Sequence, residues 1–249
     1  MIAFFSVLFD PTANAFKNIE QALKNGFTPV VYLNRVHELQ QRKLEEIGVI
    51  TLGKNINAGL GVAFKEAEQY FIENQYKYYV YFDQDTIVGD MAWKKILITH
   101  EYGFKNNDTG LLFYGYSNKN IPKLVVSSGC LFSLQVVQQY GGHNDTFFVE
   151  GVDYEYCLTL DENKLKILHF AEKEIDHFTL QDSDIKEIYG FKFKCRVYGK
   201  SRANDFNTSH YKLIKRCFKN KRTVLLILFI KSLVVFNLKE LTSKLFMRF

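Results

Sequence analysis

The sequence predicts an α/β fold, a mostly parallel sheet flanked by helices, followed by a basic helical tail. Three observations predict it. Strand-like and helix-like segments alternate over the first hundred residues, as they do where crossover helices join parallel strands. With 249 residues, 47% hydrophobic and 24% charged, the chain can bury one large domain and carry an appendage. Positive charge collects at the C-terminal end: from Lys212 onward ten Lys/Arg face one acid, Glu240, a net +9, and since the whole chain is +5 the remainder is −4. The domains read as 1–205, carrying the α/β pattern, and 206–249, the basic helical tail.

Ile2–Leu8 is an apolar strand. Pro11 and Thr12 open a helix that runs to about Asn25, with Gly26 at its end. Pro29–Leu33 is a second strand, Glu38–Ile47 a helix stopped by Gly48, and Val49–Leu52 a short strand. Gly59–Ile72 is helical and Tyr78–Phe82 is the next strand. Beyond Asp85 the periodicity loosens. Leu111–Tyr116 and Leu124–Leu131 read as strands, Leu134–Tyr140 as a short helix closed by Gly141-Gly142, Tyr154–Leu160 as a helix and Leu165–Phe170 as a strand.

The four cysteines, Cys130, Cys157, Cys195 and Cys217, form no Cys-X-X-Cys pair and no zinc-finger spacing, which fits reduced thiols in a cytosolic protein. The N-terminus is apolar at once, without the basic start and small-residue cleavage site of a secretory signal. No nucleic-acid partner is expected. Thr223–Phe236 is the most apolar stretch, too short to span a bilayer and interrupted by Lys231. It reads either as an interfacial helix on an anionic membrane surface or as a helix packed on protein.

Chemistry concentrates where Tyr78–Phe82 ends in Asp83-Gln84-Asp85. Residues two apart on a strand project to one side, so both carboxylates converge at the strand's C-terminal end, where open α/β sheets bind ligands. Crowded carboxylates repel unless a divalent cation joins them; an acidic turn is the plainer alternative. Asn55, Asn57, Gly59 and Gly61 form a loop before a helix, where backbone can approach a phosphate. Ser127-Ser128-Gly129-Cys130-Leu131 places small polar residues in an apolar run, marking close approach of a ligand or of backbone. Glu150, Asp153 and Glu155 lie among aromatics, surroundings that raise a carboxyl pKa toward that of a general base. His177 and His169 follow or end an apolar strand, and either can be a metal ligand.

In this order the pieces resemble the family 2 glycosyltransferases, which have the GT-A fold, and most resemble their rhamnosyltransferase-like branch. The resemblance rests on Asn55-X-Asn57-X-Gly59-X-Gly61, Asp83-Gln84-Asp85, Ser128-Gly129, Gly141-Gly142, Phe147-Phe148, Val152–Leu158 and His177, and covers residues 1 to about 180. It implies an inverting transfer of a sugar from a dTDP- or UDP-sugar. Asp83, Asp85 and His177 would hold Mn²⁺ or Mg²⁺, and Asp153 would take the acceptor's proton. Asn34, Asn55, Asn57, Gly59 and Gln84 would contact the donor, and Ser128, Gly129, Glu150 and Glu155 the acceptor. Rhamnose is the first candidate sugar, galactofuranose or another hexose the next. The acceptor would be a lipid-linked saccharide in surface polysaccharide (O-antigen) synthesis, at the cytoplasmic face of the membrane. The chain departs from the family where the second strand ends Leu33-Asn34 rather than in Asp-Asn or Asp-Asp, and at Gly151 and Thr159.

Two rivals remain on sequence. Phe82-Asp83-Gln84-Asp85-Thr86-Ile87-Val88 also reads as the nucleophile motif of haloacid-dehalogenase-like phosphatases, with Asp83 then the phosphorylated group and Asp85 the acid/base. That motif, however, ends a first strand, and here at least three strand signals precede it. A non-catalytic scaffold is the other rival, supported by Leu33-Asn34 alone.

Overall fold

The computed structural model describes residues 1–115, 123–170, 173–177, 185–188, 191–194 and 198–246. It divides into two compact units, Met1–His177 and Phe178–Phe249. The boundary read from the charge shift, 205/206, lies inside a helix of the second unit.

The first unit runs β1 (Ile2–Phe9), α1 (Ala13–Lys24), β2 (Thr28–Arg35), α2 (Glu38–Glu46), β3 (Ile50–Leu52), α3 (Leu60–Glu73) and β4 (Tyr78–Tyr81). It continues through β5 (Thr86–Val88), α4 (Asp90–Gly103), β6 (Thr109–Phe113), β7 (Cys130–Ser133), α5 (Leu134–Tyr140), α6 (Val152–Glu162), β8 (Lys166–His169) and β9 (Ile175–His177). Seven strands form one sheet in the order β3-β2-β1-β4-β7-β6-β8. β3, β2, β1 and β4 are mutually parallel, β7 is antiparallel to both β4 and β6, and β8 is parallel to β6. β5 and β9 make a separate antiparallel pair.

Alternation along β1 sends its side chains to two layers. Phe4 and Leu8 join Ala15, Phe16 and Ile19 of α1 and Ala92, Trp93 and Ile96 of α4 in one buried cluster. Trp93 meets Phe4, Phe27 and Phe82 edge-on with centroids 5.1–5.4 Å apart, an arrangement that aromatic quadrupoles favour. On the other face Phe5 packs against Phe64 and Phe71 of α3 and against Tyr79 and Tyr81 of β4. The central strands are thus covered on both sides, which is why they read as nearly continuous apolar runs.

Several elements differ from the sequence reading, β5 and β9 among them, where no strand is expected. The run Leu124–Leu131 is not one strand: β7 begins at Cys130, because Gly129 takes a left-handed φ of +88° that breaks the extension. Helix α4 occupies a stretch where no helix is expected. The 116 end of the predicted strand Leu111–Tyr116 falls outside the described residues. Cys130, Cys157 and Cys217 are free thiols.

The second unit holds a hairpin of β10 (Ile185–Ile188) and β11 (Phe191–Lys194) and two long helices, α7 (Lys200–Lys219) and α8 (Thr223–Phe246). Phe206 of α7 stacks on Phe236 of α8 at 3.8 Å, and His210 Nε2 lies 3.1 Å from Ser232 Oγ. Among the described residues no helix is long and apolar enough to cross a membrane.

Candidate active site

The chain leaves β1 toward β2 on one side and returns from β3 to β4 on the other, so the C-terminal ends of β1 and β4 form the sheet's switch point. Asp83-Gln84-Asp85 lies at that point. Gln84 bridges it: its Oε1 accepts from Phe9 N and its Nε2 donates to Phe9 O, both at 2.8 Å. Both amide atoms of Gln84 are therefore engaged by the backbone at the end of β1. Beside it, Arg35 of β2 pairs with Asp10 and lies over the Phe9 ring at 3.9 Å.

The rest of the acidic loop is anchored as closely. Thr86 N donates to Asp83 O at 3.0 Å, closing the turn. Asp83 N donates to Ser128 Oγ at 3.1 Å, and that hydroxyl lies 2.7 Å from Thr86 Oγ1. From α1, the buried Asn18 donates to Thr86 O at 2.6 Å. The carboxylate of Asp83 accepts from the buried Tyr81 hydroxyl at 2.6 Å, while Asp85 is exposed. Burial first, then the charge of Asp83, hold the Tyr81 phenol well above the usual tyrosine range, so it stays a donor; Asp153 and Asp85 act on it in the same sense. One phenol thus lies within electrostatic reach of three carboxylates.

Asp153 sits in the first turn of α6 and accepts from Ser127 Oγ at 2.5 Å. Burial pushes its carboxyl up to about 6; the Ser127 hydroxyl opposes the rise, the charge of Asp83 adds to it, and His143 opposes it. Adjacent serines therefore hold the two halves of the site, Ser127 on Asp153 and Ser128 on the Asp83 loop. The close approach that Gly129 marks is one of backbone: a Cβ there would meet Gly115 N at 2.8 Å. Gly129 N also donates to Tyr81 O at 2.9 Å. Glu150 is half-buried just before α6, and Glu155 is buried with Asn144 Nδ2 at 3.4 Å from its Oε1.

The Gly/Asn loop is tied to the end of β2. Asn34 Oδ1 accepts from Ala58 N at 3.1 Å, and Asn55 grips both backbone atoms of Val36 at 2.7 and 2.9 Å. Asn57 Oδ1 accepts from Gly59 N at 3.2 Å. Gly59 has φ +86°, and a Cβ on it would strike the Phe148 ring at 2.5 Å. The carbonyl of Phe148 accepts from Leu60 N at 2.5 Å, so the N-terminus of α3 is capped by the chain segment that leads to Asp153.

The strand that carries His177 adjoins the acidic loop. β9 pairs with β5 in register, His177 opposite Thr86, one residue beyond Asp85. Glu174 fixes this pairing to α4: its O accepts from Gly89 N and its Oε2 from Met91 N, each at 2.9 Å. His169, the competing histidine, lies at the end of β8 beyond β7 and β6, with its ring 5.6 Å from that of Phe113. Among the described residues no three His, Cys, Asp or Glu side chains form a metal-holding group. Asp83 and Asp85 are the described carboxylates of the suggested set, and two carboxylates at a strand end suit a hard divalent cation.

Sequence reasoning missed most of the supports. Asn18, Tyr81 and Thr86 carry the geometry, as does Ser127, whose small-polar run was noticed but not its bond to Asp153, and so does a buried network beneath α6. In that network Glu68 of α3 accepts from Tyr79 OH and lies beside His143 Nδ1, both at 2.7 Å, and accepts from His143 N at 2.9 Å. The imidazole is sandwiched between Phe64 at 3.9 Å and Tyr156 of α6 at 4.5 Å. One signal was available: Asn18 is a polar residue on the apolar face that Ala15, Ile19 and Ala22 define.

Comparison with known proteins agrees with this topology. No protein-family model matches the chain, and no curated protein matches it in sequence. Among solved structures, S. aureus TarS residues 1–349 in complex with UDP-GlcNAc superposes with a TM-score of 0.56 at 12% identity, over 92% of this chain and 71% of that one. A second S. aureus TarS structure gives 0.54 at 9% identity, over 70% of this chain and 36% of that one. The fold is GT-A-like. The chain spans little more than a third of the longer TarS structure. In this GT-A-like sheet Asp83 follows the fourth strand in chain order, whereas the phosphatase motif ends a first strand.

Proposed function

We propose that the chain is an inverting glycosyltransferase that moves a sugar from a nucleotide diphosphate to an acceptor hydroxyl. The observation that carries this reading is the juxtaposition of Asp153, its carboxyl raised to about 6, with the Asp83–Asp85 loop across the Ser127-Ser128 pair. An alcohol attacks poorly unless a base takes its proton as the new bond forms, and a carboxyl poised near neutrality suits that task. Asp153 is that base. Displacement from the face opposite the leaving diphosphate inverts the anomeric centre, as in the inverting glycosidases with alcohol in place of water.

Asp83 and Asp85 would hold Mn²⁺ or Mg²⁺, with His177 on the adjoining strand as the third ligand; when bound, the ion neutralises charge on the leaving diphosphate. Tyr81 and Gln84 fix the loop that presents these carboxylates. A dTDP- or UDP-sugar is the donor, rhamnose first and galactofuranose or another hexose next. TarS, a glycosyltransferase crystallised with UDP-GlcNAc, shares the fold and supports the donor class. The acceptor is a lipid-linked saccharide at the inner face of the cell membrane, in surface polysaccharide synthesis.

A thermal-shift screen of nucleotide sugars on the full chain, with Mg²⁺, Mn²⁺ or chelator, tests the donor and the cation together. Asp153→Asn should keep the donor-induced shift and lose transfer by a factor of at least ~10². Transfer at the parental rate would remove Asp153 as the base.

A further inference from the structure

Helix α8 has two apolar faces and uses one of them. Leu225, Phe229, Phe236 and Ser243 lie on one side, where Phe229 and Leu225 are buried and Phe236 stacks on α7. On the opposite side Val224, Ile227, Val234, Leu238 and Leu241 recur every three, four or seven residues. Each is between 51% and 74% exposed. At about 100° per residue these five fall within an arc of about 100°, roughly opposite the buried face. A helix apolar on all sides is ordinarily buried on all sides, and an exposed aliphatic row marks an interaction surface.

Charge decides what covers it. The exposed charged residues of α8, Lys231, Lys239 and Lys244, are all basic. Its one acid, Glu240, is buried, accepts from Tyr198 N at 2.9 Å and pairs with Lys244. The end of α7 adds Lys219, and the turn into α8 adds Lys221 and Arg222. A second copy of the chain laid on this face would bring lysines against lysines, which opposes pairing. An anionic bilayer surface complements the same face: aliphatic side chains enter the headgroup boundary while lysines stay at phosphate level. Lys231, inside the row, has the four-carbon stem that allows this.

We infer that α8 lies in the plane of an anionic membrane, with Val224, Ile227, Val234, Leu238 and Leu241 turned into the lipid. This names the surface responsible for the peripheral placement proposed above and is independent of the sugar chemistry.

Flotation of the full chain with phosphatidylcholine vesicles, with and without phosphatidylglycerol, tests it. The chain should float with the anionic vesicles, and less so as salt is raised. Val234→Asn/Leu238→Asn and Val234→Asp/Leu238→Asp should each weaken partition by at least about tenfold. Both sites are exposed, so an unchanged thermal melt should accompany the loss. Partition unaffected by both variants would overturn the inference. So would sedimentation showing that the parent chain self-associates through this face while neither variant does. Nucleotide-sugar turnover, measured on the same samples without vesicles, should be unchanged by either variant. Absence of turnover in every sample would count against the transferase reading and leave the membrane result standing.

Discussion

Removing one hydroxyl should move the pH profile of the reaction. Ser127 Oγ donates to Asp153 Oδ1 at 2.5 Å, a bond that stabilises the charged carboxylate and opposes the rise that burial imposes. A hydrogen bond to a charged group contributes about 1.5–3 kcal/mol, and one to a neutral group about 1, so the ionised form loses roughly 0.5–2 kcal/mol more. At 1.36 kcal/mol per unit this is a rise of about one unit from the parental value of about 6. In Ser127→Ala the ionised fraction at pH 6 should fall from about a half to about a tenth, and at pH 7 from about nine-tenths to about a half. The assay is kcat/KM for transfer between pH 5 and 8.5. The parent should lose activity below about pH 6 as Asp153 gains its proton, and Ser127→Ala should show the same limb about one unit higher. Ser127→Thr keeps the hydroxyl and should restore the limb. A rate lowered equally at every pH, with the limb unmoved, would refute Asp153 as the titrating base or Ser127 as its partner.

Other perturbations follow from the supports of the site. Glu68→Ala strands the buried His143 and Tyr79 donors and should destabilise the fold by about 3–5 kcal/mol, read as a lower urea midpoint at unchanged m-value. Gln84→Glu replaces the donor to Phe9 O with an acceptor, leaving two oxygens facing each other. It should cost about 1–3 kcal/mol in the same assay and weaken the donor-induced thermal shift.

The first half of the sheet was legible because its strands are covered on both faces and its helices each carry one apolar side. Turn residues such as Gly26 and Gly48 then set the boundaries with little ambiguity. Helix α4 was not legible for the opposite reason. Its apolar residues point everywhere: Ala92, Trp93 and Ile96 are buried while Met91, Ile98 and Tyr102 are exposed, so no stripe emerges. β5 and β9 have three residues each, too few to carry a period, and their pairing joins segments almost ninety positions apart. At the site, the acidic residues announced themselves by type and position. Their supports did not, because a serine or asparagine becomes a positioning group only through a partner far along the chain. Asn18 and Thr86 are 68 residues apart, and Ser127 and Asp153 are 26.

Gln84 leaves a practical lesson about the loop that it centres. Its side chain works as a staple between two neighbouring strands, so the flanking carboxylates are held by the end of β1 as well as by the turn that Thr86 closes. A redesign aimed at a different donor gains nothing by varying this position, since every replacement that cannot both give and accept a hydrogen bond loosens the floor on which Asp83 and Asp85 stand. Selectivity has to be sought in groups that stand free of the strand ends, and the middle letter of the motif is better treated as part of the scaffold.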